Sequence, residues 1–183
     1  MTPLTLLGMP GALRKDSTNR LLVREAARLF GPASFIEADL MLPLYDGDLE
    51  SRGVPEPVLK LSRQIAEADA VVISTPEYNS AMSGVLKNAL DWVSRTGRPW
   101  ADKPVAIVSA AAGRAGGARA QFSLRLAMTP FRPRLLTGPE VMIADSGNAF
   151  GPDGRLTDPR SIEALGALMN TLKATADEVA AAA

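Results

Sequence analysis

The feature that most constrains this chain is an apolar strand that stops at a proline and resumes as a helix. Ala70-Val71-Val72-Ile73-Ser74 is the strand. Pro76 cannot donate to a sheet ladder, so pairing ends there. Beyond it, Val85, Leu86, Ala89, Leu90 and Val93 recur at three-to-four spacing, which predicts a helix running past Trp92. Between the two lie Glu77, Tyr78 and Asn79: a carboxylate, a phenol and an amide. In an open parallel sheet that position is the carboxyl end of a strand, where ligands bind.

The same rhythm runs along the whole chain. Residues 4–8 predict a first strand, broken at Pro10-Gly11, then a polar loop over 12–19 and a helix from Arg20 to Gly31-Pro32. Residues 34–38 read as a weaker second strand, followed by a long connection over 39–57 and a helix over 58–68. A fourth strand is expected at 105–109, a small-residue loop at 110–117 and a helix from 118 to about 128. Residues 134–143, interrupted at Gly138-Pro139, supply the fifth strand. Residues 148–159 are turn-rich, and an alanine-rich helix closes the chain, its last residues, 180–183, expected to fray. Strands alternating with helices predict an α/β fold: a flavodoxin-like three-layer sandwich with a five-stranded parallel sheet in the order 2-1-3-4-5 and helices on both faces. We read residues 1–183 as a single domain of this kind.

Composition narrows the chemistry. Basic and acidic residues number 20 each, so the formal charge is zero and offers no footprint for nucleic acid or for an anionic membrane surface. The chain has no cysteine, which excludes thiol redox chemistry and iron–sulfur ligation through Cys. It has no histidine, which removes the Ser-His-Asp mechanism and the commonest transition-metal ligand, and no metal site is expected. Arg14-Lys15 follow the first apolar run instead of preceding it, unlike a signal peptide, and no run reaches the ~20 residues that span a bilayer. A cytoplasmic protein is expected, whose chemistry, if it is an enzyme, belongs to a bound cofactor.

The loop after the first strand is the arrangement that captures a phosphate: a glycine turn, a basic residue, hydroxyls and a helix start. A helix N-terminus offers unpaired N–H groups and partial positive charge. Arg14 could add a charge-assisted pair, with Ser17, Thr18 and Asn19 completing the cage. The loop is neither a Walker loop nor a dinucleotide fingerprint. Plain helix capping by Ser17, with Arg14 solvated, stays open as the alternative. Capping, however, needs one or two residues, and this loop uses eight.

Two motifs resemble the NAD(P)H-dependent FMN reductase family, flavodoxin-like enzymes that include quinone and chromate reductases. Gly11-Ala12-Leu13-Arg14-Lys15-Asp16-Ser17-Thr18-Asn19 is similar to the family's phosphate loop. Thr75-Pro76-Glu77-Tyr78-Asn79, continuing through Gly84-Val85-Leu86-Lys87-Asn88-Ala89-Leu90-Asp91-Trp92, resembles its second signature. Leu42-Pro43-Leu44-Tyr45-Asp46 and Gly116-Gly117-Ala118-Arg119-Ala120-Gln121 extend the likeness over nearly the whole chain.

The resemblance implies FMN, with its phosphate held by Arg14, Ser17 and Asn19. It places the ring over Pro76, Glu77, Tyr78 and Asn79, largely through backbone groups, with the loop Ser109 to Gly113 closing the other edge. It also implies NADPH or NADH as reductant, a small-molecule electron acceptor (quinone, azo compound, chromate or free flavin), and a homodimer or homotetramer. No side chain is expected to be catalytic, since hydride transfer takes place at the flavin; the Glu77 carboxylate is expected to orient its loop. Three departures stand out: Ala12 where the family usually has Ser, Pro10 without a donor at the turn, and Asp16 beside the proposed dianion. A flavodoxin-type electron carrier is the first rival, opposed by neutral charge and only two Trp and two Tyr. A non-catalytic scaffold or sensor domain is the second, kept open by the altered phosphate loop.

Elsewhere, Asp91 and Arg95 have acid-before-base spacing of four, and Trp92 and Trp100 suit either a subunit boundary or the core.

Overall fold

A computed structural model describes residues 3–182; Met1, Thr2 and Ala183, the last of the tail expected to fray, lie outside the described residues. In order, the elements are β1 (Thr5–Pro10), α1 (Thr18–Phe30), β2 (Ser34–Glu37), α2 (Gly47–Ser51), α3 (Glu56–Glu67), β3 (Ala70–Thr75) and α4 (Gly84–Val93). There follow β4 (Pro104–Ala110), α5 (Ala118–Met128), a 3-10 turn (Thr129–Phe131), β5 (Arg134–Leu135), β6 (Val141–Ile143) and α6 (Pro159–Ala182). All strands pair in parallel, in the order β2-β1-β3-β4-β5, with β6 also on β4.

Successive strand residues point to opposite faces of a sheet, and here the two faces build two cores. Leu6, Val72, Ala106 and Val108 pack with Leu22, Val23 and Ala26 of α1 and Leu165, Leu168, Met169 and Leu172 of α6. Leu7, Met9, Val71, Ile73, Val105 and Ile107 pack with Leu61 and Ile65 of α3, Leu86 and Leu90 of α4, and Leu124 and Met128 of α5. Both faces being covered, β3 and β4 are buried from end to end. Each buried Leu, Val, Ile or Met side chain is worth about 1.5–3 kcal/mol, against about 0–1 kcal/mol for a surface ion pair. Burial therefore sets the layers, and the ion pairs trim their edges. No helix among the described residues is long and apolar enough to cross a membrane.

Four local expectations change. Pro10 does not break β1: it is the strand's last residue, in register with Ser74, while pairing with β2 has already ended at Gly8↔Glu37. Its missing N–H falls on that vacated side and costs no ladder bond. Helix α1 begins at Thr18, because Ser17 caps it. The connection 39–57 holds α2, capped by Asp46, and the first turn of α3, where Pro57 sits with no donor to lose. The fifth strand is two pieces, β5 against the start of β4 and β6 against its end. Pro139 cannot pair and Gly138 has no side chain to pack, so the ladder lapses between them.

Residues 42–50 are strapped onto α4. The Pro43 carbonyl accepts from Asn88 Nδ2 (2.9 Å) and from the Trp92 indole N–H (2.8 Å), and the Tyr45 N–H donates to Asn88 Oδ1 (2.8 Å). The Tyr45 ring meets Trp92 edge-on at 5.1 Å. Its hydroxyl donates to Glu50 (2.7 Å), and the other oxygen of Glu50 pairs with Arg95 (2.8 Å). Arg95 is thus taken by Glu50, and Asp91 by Lys87 (2.7 Å), so the expected Asp91–Arg95 pair does not form. Trp92 and Trp100 are both core residues, 0% and 1% exposed.

Replacing Trp92 with Phe removes the indole donor and part of the ring contact, and is expected to cost about 1–3 kcal/mol of stability in urea unfolding. The Glu50 carboxyl is held below its ordinary range, first by its bond from Arg95 and then by that from Tyr45. Its contribution is therefore present above the usual glutamate range and lost as pH falls through the lower folded-state value. Trp92 fluorescence followed down the acid range should show this release, and Glu50→Gln should abolish the transition.

Candidate functional site

The chain leaves the carboxyl ends of β1, β3 and β4 in three adjacent loops, and a cleft of about 290 Å³ lies among them. From the first loop it is lined by Ala12, Leu13, Arg14, Ser17, Thr18 and Asn19, from the second by Pro76, Glu77 and Tyr78, and from the third by Ala110, Ala111 and Ala112, with Ser146 beyond.

One buried amide joins all three. Asn19, in the first turn of α1 and 2% exposed, donates from Nδ2 to the Ala110 carbonyl (2.9 Å). Its Oδ1 accepts from the Ser74 hydroxyl (2.7 Å) and the Ala110 N–H (3.2 Å). The side chain expected to ligate is thus turned inward, where it fastens the helix start to the ends of β3 and β4. Ser17 Oγ accepts from the Asn19 N–H (3.2 Å), leaving its own proton free toward the cleft. The backbone N–H groups of Arg14 and Thr18 find no acceptor among the described residues, and the exposed Arg14 guanidinium makes no ion pair among them. Free amides at a helix start, a hydroxyl and a cation together make a site for a phosphate-sized anion. Asp16 is exposed, without an ion pair among the described residues, and outside the cleft lining.

The second loop is rigid for its own reasons. Tyr78 and Ala81 exchange both backbone bonds (3.1 Å each) around Asn79 and Ser80, both left-handed at φ 50° and 64°. This leaves Tyr78 58% exposed. The Glu77 carboxylate reaches across to the start of α5, accepting from the N–H groups of Arg119 (3.1 Å) and Ala120 (3.3 Å). Gly117 offers that helix no side-chain cap, so Glu77 supplies it and clasps the second loop to the third.

The third loop is closed at its neck. Ser109 Oγ donates to the Gly116 carbonyl (2.6 Å) and accepts from Gln121 Nε2 (2.9 Å), which also donates to the Val141 carbonyl (2.8 Å). Gln121 is fully buried, and its Oε1 has no partner among the described residues. A buried unmet acceptor costs about 1–3 kcal/mol, which the bonds closing the loop offset. A Cβ at Gly116 would lie 2.6 Å from the Met142 backbone, so only glycine lets the loop return this close to β6.

Arg14, Ser17, Asn19, Pro76, Glu77 and Tyr78 therefore meet at one cleft. Asn79 sits in the turn beyond, the Ser109 hydroxyl is spent inside the neck, and Gly113 lies at the exposed loop tip; none of these three lines the cleft. Ala110, Ala111 and Ala112 lie within the loop that the resemblance places at the ring's other edge, and Gln121 within the Gly116–Gln121 stretch; Ser146 carried no signal in the sequence. Their roles follow from packing.

The NADPH-dependent FMN reductase family matches the chain over residues 4–148. An NAD(P)H-dependent FMN reductase of Pseudomonas aeruginosa is 45% identical over 161 residues, spanning 86% of this chain and 87% of that protein. A quinone reductase of Escherichia coli is 38% identical over 170 residues, spanning 88% and 89%. Among solved structures, the flavoenzyme NAD(P)H:(acceptor) oxidoreductase FerB from Paracoccus denitrificans superposes with a TM-score of 0.86 at 31% identity, over 96% of this chain and 98% of that one.

Asn19→Ala should cost about 3–5 kcal/mol, because it strands the Ser74 hydroxyl and both backbone groups of Ala110. Asn19→Asp keeps the shape but cannot donate to the Ala110 carbonyl when ionised. Urea unfolding should find it destabilised at neutral pH and partly restored in acid, where the carboxyl regains a proton to donate.

Proposed function

The chain belongs to the NADPH-dependent FMN reductase family, and on that premise we propose that it binds FMN in the three-loop cleft and uses NAD(P)H to reduce quinones or related acceptors. The carrying observation is the convergence of Arg14, Ser17 and two free amide donors at the start of α1, beside a wall of small side chains. The donors suit the phosphate, and residues 110–112 leave a flat approach for a planar ring.

Held there, FMN would supply the redox chemistry, two-electron transfer from NAD(P)H to an acceptor that binds in its turn. The chain's own residues bind and orient. Arg14, the Ser17 hydroxyl and the amides of Arg14 and Thr18 hold the anionic end. Asn19 holds these donors in place and is not itself spent on the anion. Pro76, Glu77 and Tyr78 supply the backbone along one side of the cleft and Ala110–Ala112 the other, with Glu77 clasping the second loop to the start of α5 and Gln121 closing the neck of the third. No proton need be moved by a side chain, and no carboxylate in the cleft is assigned that task. NAD(P)H as reductant supports a cytoplasmic location. We infer also that the chain works as a homodimer or homotetramer, an inference supported by Leu44, Leu126, Met41 and Phe122 standing 60–81% exposed.

Purified protein given FMN should show flavin absorbance and oxidise NADPH or NADH rapidly when a quinone is added. Binding without turnover would point to an electron carrier instead. Arg14→Ala should weaken FMN binding about 10- to 100-fold, the worth of one hydrogen bond to a charged group. Unchanged affinity in a titration would show the anionic end lies elsewhere.

A further inference from the structure

The cleft lies where β1, β3 and β4 end; a second cavity lies where β4 and β5 begin. It is a groove of about 500 Å³ between the last turn of α4, the segment that leads from it to β4, and the 3-10 turn after α5. Strand β4, seven residues long, separates the two sites by roughly 20 Å. No residue lining the groove enters the function proposed above, and the exposed Met41, Leu44, Phe122 and Leu126 do not line it.

Leu90 and Trp100, 3% and 1% exposed, form its floor, with Ala127, Pro130 and Phe131 along the α5 side. The rings of Trp100 and Phe131 meet edge-on at 6.4 Å. Around this apolar bed the charges are unevenly matched. Asp91 accepts from Lys87 Nζ with both oxygens (2.7 and 2.8 Å). Arg98 and Arg132 also line the groove and pair with no acid among the described residues. The Trp100 indole N–H is buried with no partner among them. The carboxyl ends of α4 and α5 each carry about half a negative charge, which two whole positive charges outweigh. The groove is left with an excess of donors and of positive charge.

Arg132 does not stand on a loose loop. Its backbone is left-handed (φ 55°), its N–H donates to the Thr129 carbonyl (3.4 Å), and its own carbonyl accepts from the N–H of Asp102 (3.1 Å), left-handed as well (φ 59°). Non-glycine residues persist in that region only where their surroundings over-determine them. The pair fixes the point from which the Arg132 side chain leaves.

We propose that this groove is a second ligand site, for an aromatic carboxylate of one or two fused rings. The ring packs on Pro130 and Phe131 over the Leu90–Trp100 floor, and the carboxylate meets Arg98 and Arg132. A guanidinium fork matches a planar carboxylate with two parallel bonds. A bare inorganic anion would lose its hydration against an apolar floor without return, whereas an aromatic body gains by contact with the rings already there. The volume falls in the range of about 300–1,000 Å³ usual for small-molecule sites.

Titration calorimetry of the FMN-loaded protein tests this, with naphthoate as probe and naphthylmethanol as its neutral counterpart. Naphthoate should bind once per chain with a dissociation constant below about 1 mM, the alcohol at least ~10-fold more weakly, and the flavin should stay bound. Arg98→Gln with Arg132→Gln should weaken naphthoate about 100-fold. It should leave quinone-dependent NADPH oxidation unchanged, because both side chains stand at the far end of the sheet from the cleft. Ala127→Trp, which fills the groove, should abolish binding; far-UV circular dichroism checks that each variant is folded. No saturable binding by the parent, equal binding of the alcohol, or undiminished binding by either folded variant overturns the site, the last placing naphthoate in the cleft instead. Binding is read as heat and not as turnover, so these outcomes are independent of the catalytic reading.

Discussion

The carboxamide of Asn19 is the interaction on which the rest depends. Burial builds two cores that fix the sheet and its helices, but it does not determine how three loops meet where the strands end. Asn19 does this by fastening the start of α1 to Ser74 and Ala110. An amide suits the task because it donates and accepts at once, matching the carbonyl and the N–H of Ala110 together. Being 2% exposed, it does so away from water, where an unmet partner would be expensive. The free donors of the α1 terminus are thereby aimed at a fixed point.

Two further clasps complete the cleft. Glu77 caps α5 across the gap between loops, and Gln121 closes the neck of the third loop through Ser109. In each case a polar side chain of one element meets the unsatisfied backbone or hydroxyl of another. A cleft preset in this way does not need ordering by its ligand, which lowers the entropic cost of binding.

Much of this was legible in the sequence. The apolar runs at 70–74 and 105–109, the prolines and glycines that end them, and the amphipathic spacing of 85–93 led to the parallel sheet and its strand order. The cleft's place followed, because ligands sit where parallel strands end. Arg14, Ser17, Asn19, Pro76, Glu77 and Tyr78 line it. What the sequence left unread shares a cause. Helix α2 is five residues long and buries no side chain, so it has no periodicity to read. Asn19, Ser109 and Gln121 are polar residues whose partners lie 7 to 91 positions away, and residue type alone does not distinguish a ligand from an internal fastener.

The sequence by itself determined the layers, because hydrophobic periodicity and backbone-breaking residues are local and each carries its own signal. It determined the family too, through two motifs whose spacing is local in the same sense. Only the tertiary structure decided the direction in which each polar group of those motifs is spent. Asn19 and Ser109 turned inward, Ser17 capped α1, Arg14 made no ion pair among the described residues, and Arg95 chose Glu50 over Asp91. Hydrogen bonds are short-ranged and saturable. Which partner each group finds is settled only once distant strands have been brought side by side.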